Sequence, residues 1–222
     1  MRNSFSSRRS FVYINFTRWT REREQRPGDL RVDLEYLLSP KLTEAIGVRY
    51  SRLAGPPETR GLIQVIAPWE PTLRDAARDL ANQMDRFRRT VFVTQPIPRQ
   101  WYVNFFVSFD PRAKSVLSSP TDSFEIPAKN FSLHKNALRV THDVLDALGC
   151  AEDHVGVFVV HTDRPHIHVH GVVVLAQNGG HRWDPFVFTT RHLKQVCATA
   201  SNAFLHPSPK RRIKMGGSMT LP

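Results

Sequence analysis

Two short valine-rich runs separated by a turn are the strongest constraint on how this chain folds. Val155-Gly156-Val157-Phe158-Val159-Val160 and Gly171-Val172-Val173-Val174-Leu175 are too short for typical helices and rich in β-branched residues, so both are expected as buried strands. Thr162-Asp163-Arg164-Pro165 between them is turn chemistry: Asp bonds its own backbone, and Pro fixes φ while withdrawing a donor. The segment therefore reads as a hairpin or tight strand pair. Four of the chain's ten histidines, His161, His166, His168 and His170, stand at its mouth.

Side chains two apart on a strand share a face, so His166, His168 and His170 are expected to project together. His161 closes the preceding strand and reaches the same patch across the pair. A single buried histidine is more often a satisfied core residue than a ligand. Three at alternate positions, with a fourth and Asp163 beside them, crowd groups that repel when protonated, and a divalent ion resolves that crowding. Neutral imidazole is the commonest nitrogen ligand. The residues leave two ligand sets open: His161, His168 and His170, or His166, His168 and His170.

The charge balance points to the partner. Lys plus Arg exceed Asp plus Glu by 31 to 20, a net charge of +11, which favours polyanions, nucleic acid ahead of an acidic membrane. The excess is clustered: Arg2, Arg8, Arg9, Arg18, Arg21, Arg23, Arg26 and Arg31 crowd one end, and Lys210, Arg211, Arg212 and Lys214 the other. Cys150 and Cys197 lie too far apart in sequence for a zinc motif or a disulfide framework, which makes the reducing cytosol the default. There is no apolar run of about 18 residues, so no membrane insertion is expected. The N-terminus has no secretory h-region.

The remaining elements follow from pattern. Phe11 to Phe16 resembles a short strand. Asp29 is a plausible N-cap for a helix carrying Leu30, Leu34, Leu37 and Leu38 and stopped by Ser39-Pro40, with Tyr36 near its end. Leu62 to Ile66 reads as a strand. Residues 68 to 89 read as a helix with one apolar stripe and Arg74, Arg78, Arg86, Arg88 and Arg89 on the other face. Trp101 to Phe109 is the strongest strand by propensity. Asp110 to Pro127 reads as a loop. A helix capped by Asn130 or Ser132 closes at Gly149, Asn178-Gly179-Gly180 is a tight turn, and a last helix spans about Thr190 to Leu205. The sum is an α+β fold, a central antiparallel sheet with helices packed over one face.

A metal on a sheet beneath a basic surface suggests phosphodiester chemistry, which needs a nucleophile such as metal-bound water or a side-chain hydroxyl. Of the four tyrosines, Tyr36 is singled out by its place at a helix end before a Ser-Pro break. The bland reading makes it an amphipathic residue at the core's edge.

His161-Thr162-Asp163-Arg164-Pro165-His166-Ile167-His168-Val169-His170 resembles the third motif of conjugative relaxases, the HUH single-strand DNA endonucleases. The nearest likeness is to the plasmid mobilisation and T-DNA border nuclease (VirD-type) branch. Those proteins carry a His, an Asp two residues on, and a His-x-His pair seven and nine residues after the first His. The resemblance thus implies His161, His168 and His170 as ligands, with His166 an extra histidine in the ligand set or beside it, and Asp163 orienting a ligand ring or taking a proton. Asp33-Leu34-Glu35-Tyr36-Leu37-Leu38-Ser39 is similar to the first relaxase motif, whose Tyr attacks DNA. Phe106-Val107-Ser108-Phe109 is similar to the family's hydrophobic-Ser-Phe strand. Ser108 and Arg164 join the reading as DNA contacts. Many members carry Asn four residues beyond the last His, where this chain has Val174.

The resemblance implies an HUH-type relaxase domain over residues 30–205, flanked by a partly ordered basic arm at 1–29 and a basic tail at 206–222. It implies a metal-dependent nickase and transesterase that uses Mg²⁺ or Mn²⁺ and forms a 5′-phosphotyrosyl intermediate on single-stranded DNA at a transfer origin. The implied setting is the bacterial cytoplasm, with accessory origin-binding proteins, a coupling protein and a type IV secretion system as partners, and export while attached to DNA. Alternatives are a rolling-circle replication initiator, a transposase of the same class, or a non-catalytic DNA-binding relative.

Overall fold

The computed structural model describes residues 10–17, 25–39, 43–49, 64–66, 70–92, 98–118, 131–150, 154–161, 166–176 and 182–206. Six strands form one sheet: β1 (Val12–Thr17), β2 (Thr43–Arg49), β3 (Gln64–Ile66), β4 (Tyr102–Phe109), β5 (Gly156–His161) and β6 (His168–Val174). Their order is β1-β4-β6-β5-β2-β3, and every neighbouring pair is antiparallel. The helices are α1 (Pro27–Leu37), α2 (Glu70–Val91), α3 (Lys114–Leu117), α4 (Phe131–Ala147) and α5 (Thr190–Leu205). The α+β class read from the sequence is the class observed.

The helices do not lie on one face. Leu30, Leu34 and Leu37 of α1 and Ala77, Leu80 and Met84 of α2 pack on Val157, Val159, Val172 and Val174. Ala137, Val140 and Val144 of α4 and Val196 and Ala200 of α5 join Phe105, Val107, Val160, Val169 and Val173 in a second core. Strand alternation separates the two sets onto opposite faces of β4, β5 and β6. This is why the valine runs are unbroken: β5 is buried at every residue, since both of its faces are covered.

Gly171 lies in β6 where a Cβ would collide with the Phe105 ring. Its absence lets Phe105 and Phe158 pack with ring centroids 5.7 Å apart. Gly149 takes φ +78° after α4, the left-handed C-terminal position expected of it.

Several local expectations need correction. Helix α1 starts two residues before Asp29, at Pro27; the Asp29 carboxylate sits in the first turn and accepts from the Arg26 backbone N–H at 2.8 Å. The stretch after Asp110 holds a 3-10 turn at Pro111–Ala113 and then α3, so it is not all loop. Arg88 is turned inward, stacked 4.8 Å over the Trp101 ring and paired with Asp85. Strand β2, between β5 and β3, has no counterpart in the sequence reading. Its segment Thr43-Glu44-Ala45-Ile46-Gly47-Val48-Arg49 has a glycine inside and only a weak alternating signal. The turn at 178–180, the basic clusters at residues 2–9, 18–23 and 210–214, and Arg74's side chain lie outside the described residues. No helix among the described residues is long and apolar enough to cross a membrane.

Candidate metal centre

The histidine cluster is a product of strand register. His161 ends β5 directly opposite His168, which begins β6, and His170 lies two residues further on the same face. Ring centroids are 4.8 Å apart for His161 and His170, 4.9 Å for His168 and His170, and 5.5 Å for His161 and His168. One ligand nitrogen from each falls within 4.8 Å of the others. Three nitrogens about 2.0–2.1 Å from one ion stand at most about 4.2 Å apart, so small ring rotations bring the set onto a metal. His166 precedes the strand, its ring 5.8 Å from that of His168, and does not belong to this group of three.

Backbone carbonyls orient two of the rings. Nε2 of His161 is 2.9 Å from the carbonyl oxygen of Leu37, and Nδ1 of His168 is 3.2 Å from that of His166. A carbonyl only accepts, so each of those nitrogens carries the proton and donates. The tautomers so fixed place a lone pair on Nδ1 of His161 and on Nε2 of His168, the pattern of a metal-binding imidazole whose outer nitrogen is held. Three protonated rings at these separations would repel by about 3 kcal/mol per pair at an effective dielectric of about 20. Neutral rings sharing a cation avoid that cost. The donor set therefore fits a divalent ion, and three nitrogens suit a transition metal better than oxygen-seeking Mg²⁺.

Helix α1, which carries Tyr36 one residue before the Leu37 carbonyl that meets His161, is tied to the sheet at three points. At its entry, buried Gln25 accepts from the Trp101 and Tyr102 backbone N–H groups through Oε1 (2.9 and 3.2 Å) and donates to the Tyr102 carbonyl at 3.2 Å. In mid-helix, Asp33 accepts from the Tyr102 hydroxyl and from the Asn104 amide, both at 2.9 Å. At its end, the Leu37 carbonyl meets His161. Burial, and then the Asp33 carboxylate, push the Tyr102 phenol well above its ordinary range, so it stays a donor. Hydrogen bonds to a charged group contribute roughly 1.5–3 kcal/mol, against about 0.3–0.5 kcal/mol for an exposed i,i+4 pair such as Arg31–Glu35. Asp33, not the surface pair, sets where α1 lies. Tyr36 itself is 64% exposed, next to the residue whose carbonyl touches His161.

Gln25, Tyr102 and Asn104 were not singled out in the sequence, and Asp33 appeared only inside the tyrosine motif. The available signal was polarity inside apolar patterns: Asp33 within the leucine periodicity and Asn104 within the strongest strand. Ser108 lies opposite His168 on β4, half-buried on the histidine face. Val174, where many relaxases carry Asn, is fully buried against the core under α1 and α2. Asp163 and Arg164 lie outside the described residues.

The antiparallel sheet, covered by helices on both faces, thus carries three imidazoles that could hold a metal ion. A family model described as relaxase, MobA/VirD2-like, nuclease domain matches residues 68–204. That span is more than half of the chain, and the chain belongs to this family of DNA-nicking enzymes, which generally use a divalent metal. No curated protein and no solved structure matches it. The matched span contains all three histidines and begins after α1, so Tyr36 lies before it.

Proposed function

We propose that this protein nicks and rejoins one DNA strand at a transfer origin through Tyr36. The observation that carries this reading is the 2.9 Å contact from His161 to the Leu37 carbonyl, which couples the histidine cluster to the helix end bearing Tyr36. The Tyr36 hydroxyl oxygen attacks the scissile phosphorus and gives up its proton. The phosphorus–O3′ bond breaks, the departing oxygen takes a proton to become a 3′-hydroxyl, and the 5′-phosphate remains on Tyr36. Rejoining reverses these steps on the same residue.

His161, His168 and His170 hold a divalent ion, Mn²⁺ in preference to Mg²⁺ on the donor argument above. The chemistry such an ion would supply there is polarisation of a phosphate oxygen and stabilisation of charge developing on phosphorus. With carbonyls orienting His161 and His168, Asp163 serves as acceptor of the tyrosine proton or as the partner of a ligand ring. Ser108 and Arg164 contact the DNA. Residues 1–29 and 206–222 are basic extensions around a nuclease domain at 30–205. The setting is initiation of plasmid mobilisation in a bacterial cytoplasm by a VirD-type relaxase, with accessory origin-binding proteins, a coupling protein and a type IV secretion system as partners.

The test is a labelled single-stranded origin oligonucleotide incubated with the protein and Mn²⁺ and resolved on a denaturing gel. A shifted covalent band that vanishes in Tyr36→Phe and with chelator is the expected result. A metal-loaded protein that forms no adduct on the origin of its own replicon contradicts the reading, and an adduct that persists in Tyr36→Phe removes Tyr36 from it.

A further inference from the structure

The histidine face of the sheet is covered unevenly. Helices α1 and α2 bury its Tyr102, Val157, Val172 and Val174 end. His161 and His168 are buried as well, and the face opens from half-buried His170 outwards, where register carries it across two more strands to the sheet edge. His161, His168, Ser108 and Tyr13 form one cross-strand row, and His170, Phe106 and Asn15 the next. Directly opposite residues of antiparallel strands share a face, so both rows look the same way. The Phe106 ring stands 6.1 Å from that of His170, tilted by 34°, and is only half-buried. Tyr13 is 53% exposed. Each strand adds about 4.8 Å, which puts Tyr13 roughly 10 Å from His168. Ser108 and Asn15 stand between and beside the two rings. Arg112, paired with Asp110 by two hydrogen bonds of 2.9 and 2.7 Å and 67% exposed, follows β4 where the Asp110 N–H donates to the Phe11 carbonyl next to β1.

We infer that Phe106 and Tyr13 form a stacking platform that receives bases of the single strand held at the metal centre and leads it to the β1 edge. This rests on the function proposed above. An apolar half-buried ring and a more exposed ring one strand further out suit an unpaired strand, whose bases offer π-faces. A duplex hides those faces. The chain's net charge of +11 matches the same partner. The platform adjoins the histidines at His170, whose ring faces that of Phe106.

Fluorescence anisotropy of the full chain in Mn²⁺, with an unstructured single strand and with the corresponding duplex, tests the platform. Tyr13→Ala and Phe106→Leu are expected to weaken single-strand binding by roughly 5- to 150-fold each, the equivalent of one lost base stack. Tyr13→Trp should restore parental affinity or exceed it. Duplex affinity, Mn²⁺ affinity and the salt dependence of single-strand binding should not change, because no phosphate contact is lost. Val187→Ala, 68% exposed on the 3-10 turn before α5, is the surface control and should match the parent. Tyr13 is exposed enough for its alanine variant to fold even if Phe106→Leu does not. Parental single-strand affinity in both variants overturns the platform and leaves the role of Tyr36 standing. A parent that binds no single strand at all overturns both.

Discussion

His161 donates from Nε2 to the carbonyl oxygen of Leu37 across 2.9 Å, although the two residues are 124 positions apart. This one bond orients a candidate metal ligand and closes the C-terminal end of the helix that carries Tyr36. It makes the two halves of the proposed chemistry mechanically dependent. Displacing the helix frees the ring, and turning the ring releases the C-terminal one of the helix's three ties to the sheet.

The ligand set is therefore testable by metal content. His161→Ala, His168→Ala and His170→Ala are each expected to weaken Mn²⁺ binding by more than about 100-fold, above the roughly 10- to 100-fold typical of losing an outer partner. His166→Ala should bind metal within a few fold of the parent. Titration calorimetry decides: loss in His166→Ala with retention in His161→Ala would reassign the site to the strand trio.

Asp33 and Tyr102 position Tyr36 through α1. Tyr102→Phe removes a donor to a carboxylate and should cost about 1.5–3 kcal/mol in urea unfolding. It should also slow adduct formation more than it weakens single-strand binding, because the helix shifts while the DNA surface stays. Equal losses in rate and affinity would argue against a positioning role.

Tyr36→Phe should leave stability within about 0.5 kcal/mol, since the side chain is 64% exposed and no packing is lost. The same variant abolishes the covalent adduct in the proposed mechanism. A large fall in thermal stability would instead make Tyr36 a core-edge residue.

Gly171→Ala forces a methyl group into the buried Phe105 ring directly after His170. Overpacking of this kind costs roughly 1–3 kcal/mol, read as a lower urea midpoint at unchanged m-value. Pairing it with Phe105→Leu should recover part of the loss by giving the methyl room. No effect in the single variant would show that β6 can shift away from β4.

Burial pushes the Cys197 thiol up to about 11. A folded pKa above the unfolded one means that the native state keeps its proton while the unfolded chain loses it. Stability from this group is intact below the ordinary thiol range and falls as pH rises from there to about 11. A stability profile across that window, steeper in the parent than in Cys197→Ala, is the expected result. Both cysteines are buried, so neither should react with a thiol reagent at pH 8 until denaturant is added.

Much of this molecule was legible in the chain. The valine runs on either side of Thr162-Asp163-Arg164-Pro165 specified β5 and β6 because β-branched residues in short apolar segments have few other places to go. Alternation in β6 put His168 and His170 on one face, and the leucine spacing of α1 placed Tyr36 near the end of a helix. Local order sufficed in these cases because each preference acts over a few residues.

Other features depend on contacts between distant segments, and those only the tertiary structure decided. The residues alone could not choose between His161 and His166 as partner of the pair; the register that sets His161 opposite His168 placed it among the three, and left His166 outside the strand. Strand β2 was invisible because it is specified by the edge of β5, not by its own alternation. The covering of both sheet faces and the stacking of Arg88 on Trp101 were equally beyond the pattern, and the ties of α1 through Gln25, Asp33 and the Leu37 carbonyl arise from partners 76, 69 and 124 residues away. The sequence by itself determined which side chains were available for the chemistry; the sheet decided which of them meet, because a hydrogen bond or a shared metal depends on distance in space and not on spacing in the chain.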